Sequence, residues 1–87
     1  MHAVVTKVTI HDDEAATTFL TEQLVPGVSA APGFVGGYWV RVGNAGTSIT
    51  AWESEEAARA AIDNGQLPPE NLVTIDSMEV GEVAASA

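Results

Sequence analysis

The sequence predicts an α+β fold in which strands and helices follow one another in the order β-α-β-β-α-β. Four runs are rich in β-branched residues, as strands are, and two intervening stretches carry helix-capping residues and apolar stripes. Only a short Gly/Asn segment joins the two central strands, which indicates an antiparallel hairpin. Two β-α-β halves with antiparallel pairing define a split β-α-β, or ferredoxin-like, domain. Such a domain has a four-stranded antiparallel sheet with both helices on one face.

The first half of the chain supplies a strand and a long helix. Residues 3–10 (AVVTKVTI) have the composition of a strand. Asp12 or Asp13 can cap the helix that follows, and the acidic residues there suit the positive end of the helix dipole. Pro26-Gly27 should end or kink this helix, although a further turn could reach Ala31. The apolar stripe of the helix consists of Ala16, Phe19, Leu20 and Leu24.

A β-hairpin occupies the middle of the chain. Residues 34–42 (FVGGYWVRV) and 47–52 (TSITAW) are the predicted second and third strands, and residues 43–46 (GNAG) are the turn between them. Gly36-Gly37 lies inside the second strand, where glycines mark a bulge or a close backbone approach. Simple alternation puts Val35, Trp39 and Arg41 on one face, which suits a half-wet cavity or a dimer interface. The residues expected in the core under the helices are Phe34, Tyr38, Val40 and Val42.

The last third of the chain supplies the second helix and the fourth strand. An alanine-rich helix begins after its cap, Ser54, and stops at Asn64-Gly65. Residues 66–71 include two prolines and are predicted to form a loop, and residues 72–80 (LVTIDSMEV) are predicted to form the last strand. The short tail beyond this strand should fray. Residues 1–87 together are expected to form a single domain.

The composition disfavours several classes of function. Three basic residues face twelve acidic ones, for a formal charge of −9, so binding to nucleic acid or to an anionic membrane is not expected. The sequence has no cysteine, which rules out disulfides, thiolate catalysis and cysteine-based metal sites. No signal peptide or membrane-spanning run is visible, and a small cysteine-free domain favours the cytoplasm. The two histidines do not make a ligand set, so no metal site is expected.

Two motifs connect the sequence with a known family. Residues 32–38 (PGFVGGY) lead into the second strand, and residues 51–57 (AWESEEA) lead from the third strand into the second helix. Each motif alone indicates only a turn or a helix cap. Together, at this spacing and in this element order, they resemble the antibiotic-biosynthesis monooxygenase-like family, a group of small bacterial-type domains in the dimeric α/β-barrel superfamily. The resemblance covers nearly the whole chain.

The resemblance implies a homodimer whose two sheets pack face to face, with a pocket in each subunit. Active members of the family oxidise aromatic polyketides with O₂ and without metal or flavin, or degrade haem, so no cofactor is expected. The haem-degrading branch uses an Asn on the first strand, a Trp at the end of the third and a His on the second helix. Trp52 matches the Trp, but the first strand offers Thr6 and Lys7 instead of an Asn, and the second helix contains no His. Haem degradation is therefore disfavoured.

A few polar and aromatic side chains resemble the groups that position substrate in the polyketide-oxidising members. Arg41 could bind a carboxylate or stack on a flat ring, and the two indoles could form the walls of a pocket for a small aromatic ligand. Plainer roles are also open: Trp39 and Arg41 as dimer contacts, and Trp52 as a seal over the strand-to-helix corner. His2 and His11 are the side chains that titrate near neutral pH, and neither is clearly placed for chemistry. The candidate substrate-binding residues are Trp39, Arg41, Trp52, Thr50 and Tyr38, and no catalytic residue is named.

Two functions are consistent with these residues. The first is a cofactor-independent monooxygenase, or a related small-molecule enzyme, that acts on an aromatic or polyketide-like substrate. The second is a non-catalytic dimeric module that binds a small molecule or simply assembles. The lack of a well-placed general base weakens the enzyme hypothesis. The small number of polar side chains suited to catalysis favours the non-catalytic module. The observation that would help most is whether Trp39, Arg41 and Trp52 converge on a cavity larger than ~300 Å³.

Overall fold

A computed structural model of the chain describes residues 1–65 and 68–87, and its element order confirms the predicted fold class. The strands form one antiparallel sheet in which the first lies between the third and fourth, and the second is at an edge. The strands are β1 (His2–Ile10), β2 (Phe34–Val42), β3 (Ala45–Trp52) and β4 (Val73–Glu82). The helices are α1 (Asp13–Phe19), a π-helical segment (Leu20–Leu24), α2 (Val25–Ser29) and α3 (Glu55–Asn64).

Gln66 and Leu67, which begin the predicted loop over residues 66–71, lie outside the described residues. Across the residues that the structure describes, no helix is both long and apolar enough to cross a membrane.

α1, the π-helical segment and α2 follow one another without a break, and together they are called the first helical region. Asp12 caps it, because its Oδ1 accepts a hydrogen bond from the Ala15 N–H at 3.1 Å. Pro26 does not end the helix, so the further turn allowed by the sequence is the one that forms. Pro26 lies in the first turn of α2, where a missing N–H is tolerated. Just before it, the Val25 N–H reaches back five residues to the Leu20 carbonyl, which is the wider π-helical pattern.

α3 begins and ends as predicted. The Ser54 Oγ accepts a hydrogen bond from the Ala57 N–H at 3.1 Å, and Gly65 is the C-cap. Arg59 donates to the Glu55 carboxylate one turn earlier, at 2.8 Å, and this hydrogen bond and charge lower the pKa of the Glu55 carboxyl. Ala58 of the same helix is fully buried and marks the side that packs on the sheet.

The β2–β3 hairpin is tighter than predicted. Ala45 and Gly46, which the sequence analysis assigned to the turn, belong to β3, so only Gly43 and Asn44 connect the strands. Gly43 has a φ of +62°. A two-residue type II′ turn needs a positive φ at its first position, and glycine adopts it without strain. The shorter turn explains why β3 extends two residues further toward its start than expected.

A bulge in β2 reverses part of the predicted side-chain alternation. Phe34 pairs with Trp52, but the next pair joins Gly36, rather than Val35, to Ala51. The extra residue is the bulge that the paired glycines indicated. Because a shift of one residue moves the rest of a strand to the other face, the predicted faces of β2 are wrong beyond Val35. Trp39 and Arg41 face the helices. Alternation after the bulge places the exposed residues Tyr38, Val40 and Val42 on the other face.

The helices cover only one face of the sheet. On that face Val4, Trp52 and Ala58 form a buried cluster, and the Phe34 ring packs edge-on against Trp52 with centroids 5.4 Å apart. No helix of the described residues covers the opposite face, and we call it the open face. Its exposed large apolar residues lie on β2 and β3: Tyr38, Val40, Val42 and Ile49.

Candidate functional site

A cavity of about 560 Å³ lies between the sheet and the helices. This volume falls within the ~300–1,000 Å³ range of small-molecule sites. All four strands contribute to its floor, and the first helical region contributes most of its roof. The apolar stripe predicted for the first helix therefore lines a cavity instead of filling a core. The stripe residues that do so are Ala16, Phe19, Leu20 and Leu24.

Trp39 provides the largest flat surface on β2, and it is half-buried in the cavity lining. Its indole lies over Gly37, two residues earlier on the strand. A Cβ on Gly37 would sit 3.2 Å from Trp39 Cη2 and 3.2 Å from Thr50 Cγ2, closer than most real contacts. The missing side chain thus lets the ring lie back along the sheet beside Thr50. An indole in this position can stack on a planar ligand.

Trp52 and Thr50 are coupled by a hydrogen bond. The Trp52 Nε1–H donates to the Thr50 Oγ1 at 2.9 Å, and both residues are buried. The bond satisfies an indole N–H that would otherwise be buried without a partner. Trp52 is only 2% exposed and packs in the core cluster, so it seals the strand-to-helix corner while also bordering the cavity.

Arg41 is the one charged side chain among the described residues that line the cavity. Its Nη1 forms an ion pair with Asp13 Oδ1, which links β2 to the start of α1. The two side chains are 49% and 62% exposed, so the pair lies where the cavity meets solvent. A pair this exposed contributes about 0–1 kcal/mol to stability, and the guanidinium can exchange its partner at little cost.

Four of the five candidate residues converge on this cavity: Trp39, Arg41, Thr50 and Trp52. Tyr38 does not, because the bulge places it on the open face, where it is 76% exposed. Asp13, the partner of Arg41, is not among the candidate residues predicted from the sequence. The two residues are 28 positions apart and lie on different elements, and no local pattern signals such a contact.

The two histidines lie outside the cavity lining. His11 Nε2 is 2.6 Å from the Thr74 Oγ1, which ties the end of β1 to β4. The Nδ1 of His2 is buried without a hydrogen-bond partner among the described residues. His2 is the first residue of β1 and pairs with Trp52 in the sheet register. Among the described residues of the lining there is neither an imidazole nor a carboxylate. No group of three or more potential metal ligands occurs in the described part of the chain.

No protein-family model matches this chain, and no curated protein matches it. Solved structures do. SnoaB, a cofactor-independent oxygenase from Streptomyces nogalater, has a TM-score of 0.74 at 20% identity, over 98% of this chain and 94% of SnoaB. MhuD, a haem degrader from Mycobacterium tuberculosis solved with two haems in its active site, has a TM-score of 0.58 at 23% identity, over 97% and 98% of the chains. Haem-free MhuD has a TM-score of 0.52 at 26% identity, over 98% of each chain.

These similarities bear on the fold. The chain has the ferredoxin-like fold of SnoaB and MhuD, with a four-stranded antiparallel sheet and helices on one face. This is the fold that the two sequence motifs led us to expect.

Proposed function

We propose that this protein is a cofactor-independent monooxygenase of the antibiotic-biosynthesis monooxygenase-like family that acts on an aromatic or polyketide-like substrate. One observation carries the proposal: the cavity combines a flat indole, Trp39, with a single cation, Arg41, in an otherwise apolar and hydroxyl-bearing lining. That combination fits a planar ring that bears one anionic oxygen. The fold shared with SnoaB, which is a cofactor-independent oxygenase, supports the same reaction class.

In this class of reaction the main task of the protein is to position the substrate. A substrate carbanion that is stabilised by neighbouring carbonyl groups can give its electrons to O₂ directly. One oxygen atom stays on the carbon, the other leaves as water, and a ring CH₂ becomes a carbonyl. In this chain Trp39 would hold the ring, Arg41 would stabilise the anionic oxygen of the deprotonated substrate, and the apolar roof would exclude water.

A non-catalytic dimeric module that binds a small molecule, or only assembles, is the second candidate. It is favoured by the absence of imidazole and carboxylate groups from the described lining, because the substrate proton then has no evident acceptor there. Oxygen uptake with 1,8-dihydroxyanthrone as a probe separates the two. Uptake above the rate without protein supports the enzyme, whereas binding without uptake supports the module.

We also propose that the protein is a homodimer that pairs through the open face. Tyr38 and Val42 are each 76% exposed there, beside Val40 and Ile49. Contiguous apolar surface of this kind marks an interaction site, and a domain of 87 residues gains stability from burying it. A second copy of the sheet is the partner that matches this surface, and the cavity on the other side stays accessible.

Binding of a planar aromatic acid should quench tryptophan fluorescence, because Trp39 lies in the cavity. With anthraquinone-2-carboxylate as the probe, we expect saturable quenching that Trp39→Phe removes in large part. Arg41→Ala should weaken binding by about 1.5 kcal/mol, the lower end of the range for a hydrogen bond to a charged group, because the arginine is half-exposed.

Arg59→Ala is the matched control for this measurement. Arg59 is also exposed and also paired with a carboxylate, but it lies on α3 outside the cavity lining. Equal losses in the two arginine variants would show that the ligand responds to overall charge, and the proposed site would then be wrong.

Haem is a poor fit for the same cavity. The described lining offers no imidazole to bind iron, and Arg41 is its single charged group, whereas haem carries two propionates. Added haemin should therefore give no saturable Soret shift and no ring opening in the presence of a reductant. Stoichiometric binding with turnover would show that haem degradation, the activity of MhuD, was wrongly disfavoured.

A further inference from the structure

The positive charge of Arg41 at the cavity mouth is neutralised by a residue outside the cavity lining. Arg41 lines the cavity, but Asp13, the carboxylate that neutralises it, does not. A neutral ligand can fill the apolar space and leave this pair intact. An anionic ligand that reaches for the guanidinium meets a carboxylate already bound to it, so the two compete for one cation.

The ion pair between Arg41 and Asp13 can be replaced by an ion pair between Arg41 and a ligand at little energetic cost. Both side chains are about half-exposed, so breaking the contact returns the Asp13 carboxylate to water and leaves no buried charge. Asp12, not Asp13, caps the helix through the Ala15 N–H, so α1 keeps its cap when the pair opens.

The geometry of the contact also sets what can displace Asp13. It joins Arg41 Nη1 to one carboxylate oxygen, while a guanidinium has five N–H donors in a planar fork. A ligand with two neighbouring oxygens that share a negative charge can bind two of these donors at once. A single neutral oxygen cannot compete in this way.

We propose that Asp13 is a specificity-determining residue that competes with the ligand for Arg41. Among anionic ligands it favours planar ones whose charge is spread over two neighbouring oxygens, such as an aromatic carboxylate or the enolate of a β-diketone, over those with a single charged oxygen, and it leaves the binding of neutral rings unchanged. This inference rests on the proposed function, since it concerns the same cavity and the same arginine. Asp13 acts through Arg41 and has no contact with the ligand.

The test compares two probes of one shape, anthraquinone-2-carboxylate and the neutral anthraquinone-2-carboxamide, by tryptophan quenching. Asp13→Asn removes the competitor, and the acid should bind about three- to fivefold more tightly while the amide is unchanged. Asp13→Glu keeps a carboxylate at this position and should restore much of the weaker binding of the acid. In an Arg41→Gln background, Asp13→Asn should change neither probe, because nothing is left to compete for.

The matched control is Glu14→Gln, which removes the same charge from the next residue of the same exposed turn. It should leave the ratio of acid to amide affinities near the wild-type value. An equal rise in that control, or an unchanged ratio in Asp13→Asn, overturns the inference while the proposed binding function stands. Failure of the unmodified protein to bind either probe overturns both. Should Asp13→Asn not fold, Asp13→Ser provides the same comparison.

Discussion

Val40→Asp should convert a dimer into a monomer. Val40 is 55% exposed on the open face, between Tyr38 and Val42 on the edge strand β2. In a symmetric interface each substitution buries two carboxylates, one from each copy, without partners. An unpaired buried charge costs about 3–5 kcal/mol, so the dimer dissociation constant should rise more than about 100-fold. Sedimentation at micromolar concentration should then give the mass of one chain for the variant and of two for the unmodified protein.

Ala60→Asp is the control for this experiment. It adds the same charge at an exposed position of α3, on the other side of the sheet, and should leave the mass of the assembly unchanged. Two results would count against the proposed interface: an unmodified protein that is monomeric at these concentrations, or a Val40→Asp variant that still sediments as a dimer.

Trp52→Ala should remove a large part of the stability of the fold. The side chain is 2% exposed, packs against Phe34 and lies in the core with Val4 and Ala58. Truncation of a buried tryptophan costs about 3–5 kcal/mol, out of a typical total of about 5–15 kcal/mol. Urea unfolding followed by circular dichroism measures the loss directly.

Trp52→Phe separates packing from hydrogen bonding at the same position. It keeps an aromatic ring beside Phe34 but removes the Nε1–H that donates to Thr50. We expect a loss of about 1–2 kcal/mol, less than for the alanine variant. If Trp52→Ala costs less than about 1 kcal/mol, Trp52 is not a core residue and its contribution to the cavity becomes the more important one.

The parts of the fold that depend on local chemistry could be predicted from the sequence. Asp12 and Ser54 each need only a backbone N–H three residues later, so the starts of both helical regions followed from capping rules. Pro26 was harder to interpret, because its effect depends on a π-helical register just before it.

The site could be predicted only in part. The identities of Trp39, Arg41, Thr50 and Trp52 were recognisable as the polar and aromatic groups of two strands. Their common orientation was not, since it depends on one bulged residue between Phe34 and Gly36. The glycines signalled a bulge, but alternation counted across it gave the wrong face for Tyr38 and for Trp39. The Arg41–Asp13 contact depends on tertiary structure and leaves no trace in the sequence.

The bulge gives neighbouring positions of one strand separate tasks. After it, residues 37, 39 and 41 border or shape the cavity, while residues 38, 40 and 42 are exposed on the open face, and of these three only Val40 also borders the cavity. Ligand specificity and self-association can therefore be changed by separate substitutions within six consecutive residues. For protein engineering, a library randomised at the odd-numbered positions explores new substrates on an unchanged assembly surface. A library at positions 38 and 42, which do not line the cavity, varies the quaternary structure around an unchanged pocket.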